Sequence, residues 1–247
     1  MPLKISASKS WVLALAMWAQ WSAAQTDAVR QNTASARVLS KDMVIQLTEQ
    51  VDGNGHIDRE FRRGTESLYR SRIQPLNQGF TLQVSAGHPS QLGILRLERQ
   101  RLSVVDSQGQ PLWSEDLTKP LCLPEFIPEF VKAHWERLAL GREPLACGAP
   151  IIKARKVAPV EWVRLPDGPR GERVVELRPG SFGMRFFLSP TRFTFSADGS
   201  TLLAQDGQFD TTSDPKASPS YVKGSATYTV TRQAKTWPLE RFGPLAR

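Results

Sequence analysis

The run Asp52-Gly53-Asn54-Gly55-His56-Ile57-Asp58 alternates oxygen-bearing side chains with glycine, as the middle of a calcium-binding loop does. In that register Gln50 stands at the first ligand position, which needs a carboxylate, and Phe61 at the twelfth, which needs a bidentate glutamate. Both strongest ligands are missing and the flanks alternate as strands, so the run reads as a polar hairpin turn. His56, His88 and His134 stand far apart, without the His/Cys/Asp spacing of a metal site. A serine nucleophile would need a Gly-x-Ser-x-Gly elbow; Pro179-Gly180-Ser181-Phe182-Gly183 has the small residues at the wrong spacing and reads as a turn. No catalytic residue, metal or cofactor is assigned, and the chain reads as non-enzymatic.

Cys122 and Cys147 are the two cysteines. Thiolate chemistry is disfavoured if the chain is exported, because an oxidising compartment favours pairing. Spacing alone leaves open a disulfide or two buried thiols, and the disulfide is the expectation. Export itself is expected from the first residues. Lys4 and Lys9 precede an apolar run from Trp11 to Ala19, and Ser22, Ala23 and Ala24 lead into polar Gln25. A basic start, a short apolar centre and a small-residue exit make a signal peptide over residues 1–24. The run is too short to span a bilayer, so no stable membrane anchor is expected after cleavage and the location is read as periplasmic or secreted.

Of 247 residues, 40% are hydrophobic and 23% charged, which supports a sizeable core and excludes a disordered chain. The formal net charge of +8 falls to +6 when Lys4 and Lys9 leave with the signal peptide. An exported protein rarely meets nucleic acid, so no nucleic-acid partner is expected; the available anions are lipid head groups and other envelope components.

The elements that must position any site read mostly as strands. Met43, Ile45, Leu47 and Val51 alternate with Val44, Gln46, Thr48 and Gln50, and Phe80, Leu82, Val84 and Ala86 alternate with polar neighbours. Less regular runs at 93–99, 102–106, 151–157, 161–165, 173–178, 184–188, 192–195, 202–209 and 221–231 are also expected as strands. Asp-Gly and Asn-Gly joints between runs favour antiparallel hairpins, the clearest at Asp198-Gly199. Residues 25–37, polar and small, read as a flexible lead-in, residues 38–234 as one β-rich domain, and 235–247 as an irregular tail. Between the cysteines, Phe126, Ile127, Phe130, Val131, His134 and Leu138 recur every three or four residues, bounded by Pro124 or Pro128 and by Gly141. That is one amphipathic helix near 127–140, its apolar stripe needing cover from the sheet. The fold class is therefore mainly β (α+β): a curved antiparallel sheet or open half-barrel packed on one helix.

Aromatic residues gather in the second half of the chain. They serve either as core or as the wall of a cavity between sheet and helix. The cavity reading assigns Phe126, Phe130, Trp162 and Phe193 to the wall, with Lys153 and Arg155 at the rim for an anionic head group.

Phe130-Val131 with Trp135, Leu138-Ala139-Leu140-Gly141, a strand opening with Pro150, Glu176-Leu177-Arg178, Phe193-Thr194-Phe195 and Asp198-Gly199-Ser200-Thr201-Leu202-Leu203 before Gly207 form one pattern. Through it the stretch 124–210 resembles a family of uncharacterised exported bacterial proteins, which has no established activity and no functional residues to carry across. The architecture is also loosely similar to the half-barrels of periplasmic lipoprotein carriers, which implies a hydrophobic ligand only through fold. The leading expectation is a non-catalytic periplasmic binding protein for a lipid or other hydrophobic ligand. The alternative is an envelope interaction or assembly protein with a solid core.

Overall fold

Antiparallel pairing runs through nearly every turn of the chain. A computed structural model describes residues 32–40, 43–52, 54–141, 143–183, 188–216 and 221–230. The expected signal peptide, the expected tail and most of the expected 184–188 strand lie outside these. The first eight strands are β1 (Asn32–Ser40), β2 (Met43–Val51), β3 (Ile57–Arg63), β4 (Glu66–Leu76), β5 (Gly79–Ala86), β6 (Gly93–Glu98), β7 (Arg101–Val105) and β8 (Pro111–Asp116). The last six are β9 (Leu145–Ile151), β10 (Lys156–Arg164), β11 (Arg173–Pro179), β12 (Thr191–Phe195), β13 (Leu202–Thr212) and β14 (Tyr221–Val230).

All belong to one 14-stranded sheet in the order β8-β7-β6-β5-β4-β3-β2-β1-β14-β13-β12-β11-β10-β9. Each strand lies beside its neighbour in sequence, except that β1 pairs with β14 and β8 does not pair with β9. Two meanders are thus joined along β1 and β14, in a register running from Ala34 opposite Val230 to Leu39 opposite Ser225.

β1 begins inside the stretch expected as lead-in. Its residues are small and polar, but β2 on one side and β14 on the other satisfy its backbone, and that pairing overrides local composition. The expected strand at 151–157 is likewise corrected. Ile151 ends β9, Ile152–Ala154 is a 3-10 turn, and Arg155 takes a left-handed φ of 49° before β10 begins. An apolar run there continues the two strands on either side of a tight connection, which period-two counting does not separate.

The missing β8–β9 contact is bridged by the chain between them. Leu121 pairs in parallel with Gly148 of β9, the Cys122 amide donates to the Gly148 carbonyl at 2.8 Å, and the Gly148 amide donates to the Pro120 carbonyl at 2.8 Å. The Glu115 carboxylate of β8 accepts from the Val157 amide of β10 at 3.2 Å. The disulfide Cys122–Cys147, with Cα atoms 5.8 Å apart, fastens the same join. The two ends of the sheet therefore meet, and the edge of β9 finds partners for its polar groups there.

Beyond the join, Pro124–Phe126 is a 3-10 turn leading into α1 (Ile127–Ala133) and α2 (Trp135–Leu140). The single expected helix is thus two short ones. They part at His134, whose φ of −107° and ψ of 13° leave helical values while its ring packs on Phe130, centroids 4.5 Å apart. Gly141 closes α2 at φ 59°, where its amide caps Leu138, so the expected glycine stop is present. Phe130, Val131 and Leu138 bury their stripe against Val160, Trp162, Val175, Phe193 and Phe195 of β10, β11 and β12. Burying each such side chain stabilises by roughly 1.5–3 kcal/mol.

Reducing the disulfide opens a 25-residue loop in the denatured chain. It is expected to lower unfolding stability by about 3 kcal/mol, read as a shift in denaturant midpoint with and without reductant. At the β1–β14 seam, a Cβ on Gly224 would sit 2.3 Å from the backbone oxygen of Leu39. Gly224→Ala is therefore expected to cost about 1–3 kcal/mol in the same measurement, because backbone rather than a pliable side chain must give way.

Candidate functional site

Period-two alternation turns charged residues into the sheet interior as firmly as apolar ones. Along β2, Glu49 follows Ile45 and Leu47 on the inward face; along β3, Arg59 stands between buried Ile57 and Phe61. Arg59 is 3% exposed, and its Nη1 lies 3.7 Å from Asp210 Oδ2 on β13 and its Nε 3.9 Å from Glu49 Oε2. Since β3 and β13 are not neighbours in the sheet, the Arg59–Asp210 pair reaches across the interior. The edge-to-face contact of Phe61 with Phe209, centroids 6.2 Å apart, crosses beside it.

The linking segment supplies a further carboxylate. Glu125, in the 3-10 turn before α1, is 2% exposed. Its Oε1 accepts from Ser71 Oγ at 2.8 Å and Tyr69 Oη at 3.2 Å, both on β4. Its Oε2 is buried with no hydrogen-bond partner, as are Nε and Nη1 of Arg59. On β14, Tyr228 donates to Gln205 of β13 at 2.8 Å. Glu129 of α1 is half-buried.

Burial dominates the electrostatics. It pushes the Asp210 carboxyl up to about 7 against the pull of Arg59, with Glu125 adding to the rise. Burial, then the charge of Glu49, brings Glu129 to about 7. Glu49 is raised by burial and by Glu125, with Arg59 opposing. For Arg59 the desolvation works against the charge, but Asp210 and Glu49 outweigh it and the guanidinium is held protonated. Burial and then Glu125 hold the Tyr69 phenol protonated.

The residues expected as a ligand wall lie elsewhere and apart. Phe126 belongs to the cluster with Phe80, centroids 5.2 Å apart, together with Leu82, Leu95 and Leu97. Phe130, Trp162 and Phe193 form a second cluster, with Trp162 5.3 Å from Phe193 and 6.0 Å from Phe130. The Trp162 indole N–H lies 2.9 Å from Cys122 Sγ of the disulfide. Each of the four is at most 2% exposed and packed on protein side chains. Arg155 is exposed in the turn before β10; the side chain of Lys153 lies outside the described residues.

The run that spaces like a calcium loop closes the β2–β3 hairpin. Asp52 Oδ1 accepts from the Asn54 and His56 amides at 2.8 and 2.9 Å, and Oδ2 pairs with His56 Nδ1 at 2.8 Å. That carboxylate is spent on the turn itself. Among the described residues, no group of three His, Cys, Asp or Glu side chains is arranged to hold a metal ion. No helix among them is long and apolar enough to cross a membrane.

Sequence reading missed the interior set, although the signal was present. Glu49 and Arg59 stand in phase with apolar residues on their strands, where an outward charge would be out of phase. The partners Asp210 and Glu125 carry no such sign, since only the crossing of the interior brings them together.

No family model matches the chain, and no curated protein matches it. A solved structure described as a beta-barrel-like protein of a domain of unknown function, DUF1849, from Brucella abortus is similar at 11% identity. That likeness covers 83% of this chain and 96% of the other, with a TM-score of 0.40.

Because the folded-state carboxyls of Asp210 and Glu129 lie near 7, above their unfolded values, protons bind the folded chain more tightly. Stability is expected to rise as pH falls from about 8 to about 4.5, by roughly 2–4 kcal/mol in all. Denaturant titrations at stepped pH measure this, and Asp210→Asn is expected to flatten the slope. Below that range the trend reverses, because Asp198, held at about 2 by the hydroxyl of Ser196 and the amide and hydroxyl of Ser200, loses its partners as it protonates.

Proposed function

We propose that this chain is an exported, non-catalytic binding protein whose ligand engages the charged interior around Arg59. The observation that carries the reading is the set of unpartnered polar atoms there: Arg59 Nε and Nη1 and Glu125 Oε2, on side chains at least nine-tenths buried. Each such atom costs about 1–3 kcal/mol when left without a partner. A chain that spends stability on them gains a place where incoming polar groups are recognised. The sheet curls around that place, with the disulfide-fastened segment between β8 and β9 bringing Glu125 into it. Support for export comes from the basic and apolar opening of the sequence and from the disulfide. Membership of the exported family that the 124–210 pattern resembles belongs to the same proposal.

Lipid or another anionic envelope component remains the competing ligand class from the sequence. The packing of Phe126, Phe130, Trp162 and Phe193 on protein side chains in two clusters favours instead a second reading, an envelope interaction protein with a filled apolar interior. Native mass spectrometry of protein taken from its own cells separates these. A small polar adduct, displaced on unfolding, is the expected result. Phospholipid adducts would transfer the assignment to a lipid carrier, and protein repeatedly bare of any adduct but cross-linked to one partner in cells would favour the interaction protein.

A further inference from the structure

Among the described residues the interior holds more negative than positive groups. Glu49, Glu125 and Asp210 come from β2, the 3-10 turn and β13, and Arg59 of β3 is the cation among them. Lys132, on the outer face of α1, is exposed. The polar side chains completing the surround are Tyr69 and Ser71 of β4, Tyr228 of β14 and Gln205 of β13. Arg59 meets Glu49 and Asp210 beyond hydrogen-bond range, so it offsets their charge without occupying their lone pairs. Those carboxylates are 21% and 29% exposed, whereas Arg59 and Glu125 are buried.

We infer that this interior binds a small organic cation, an ammonium or guanidinium group with an oxygen acceptor close by. The inference rests on the interior-site reading above and supplies its ligand class. A cationic N–H donor meets two needs together: it gives Glu125 Oε2 the partner that the fold withholds, and it offsets the excess carboxylate charge. Such a ligand fits better than a bare metal ion, since the described carboxylates do not converge as metal ligands do. A neighbouring acceptor atom on the ligand would satisfy the unpartnered N–H groups of Arg59.

Isothermal calorimetry on the intact mature protein at about pH 8 and matched ionic strength tests this, with ethanolamine, 3-aminopropanol and 2-methoxyethylamine as probes. Glycerol and acetate serve as neutral and anionic comparisons. At least one cation is expected to bind saturably and to raise the melting temperature. Its affinity is expected to fall about tenfold or more in Glu125→Gln and in Glu49→Gln, and again at about pH 5 as carboxylates protonate. Glu49→Gln, on a partly exposed strand position, guards against Glu125→Gln failing to fold; circular dichroism checks both. Cation binding that neither substitution weakens overturns the inference. Binding of acetate or glycerol, weakened by the same substitutions, overturns the cation class and keeps the interior site. No binding by any of the five removes both.

Discussion

A sheet with edges must do something with the backbone groups along them, and this constraint shapes the chain. Fourteen strands in a meander leave β8 and β9 as the two edges. The segment after β8 crosses to β9, bonds its backbone at Gly148 and is fastened by Cys122–Cys147. Everything attached to that segment is placed by the crossing. Glu125 reaches Tyr69 and Ser71, and α1 and α2 lie on β10 to β12, because the connection enters the interior instead of running over the surface.

The same crossing makes the interior mixed. Apolar layers fill it on either side: Phe80 and Phe126 with the leucines of β5 to β7, and Trp162 with Phe130 and Phe193. Between β2, β3, β4 and β13 a third cluster of Ile45, Leu47, Phe61, Leu68 and Phe209 is interrupted by the charges of Glu49, Arg59 and Asp210. Ion pairs in such a place are weak evidence of stability, because desolvation offsets much of their attraction. The raised carboxyls of Asp210, Glu129 and Glu49 are the visible mark of that offset.

Much of the fold was legible in the sequence because one physical signal, alternation, is also the one that builds a sheet. β2, β5 and the β12–β13 hairpin follow from it and from the turn chemistry of Asp198-Gly199. β3 and β4 escaped it: Arg59, Arg62, Arg63, Arg70 and Arg72 mask the alternation of Ile57, Phe61 and Ile73 until one sees which residues face inward. Outward arginines on these strands pair with acids across the ladder, Arg72 with Asp58 at 2.7 Å and Arg70 with Glu60 at 2.7 Å, so the charge is ordinary for a solvated face. The disulfide was legible from cysteine count and expected export. The charged interior was not, because its members are gathered by long-range topology from strands β2, β3, β4 and β13 and from the connecting turn, and no local rule links Arg59 to residue 210.

The pairing of β1 with β14 has a topological meaning of its own. Among the described residues Ala34 stands opposite Val230, so the start of β1 lies beside the end of β14 and the described strands trace a ring. A short tether joining those strands would let new ends be opened at any outer hairpin, with every ladder kept. Circular permutants of this kind turn the strand order into a cyclic alphabet. They separate what belongs to the order of synthesis from what belongs to the finished sheet.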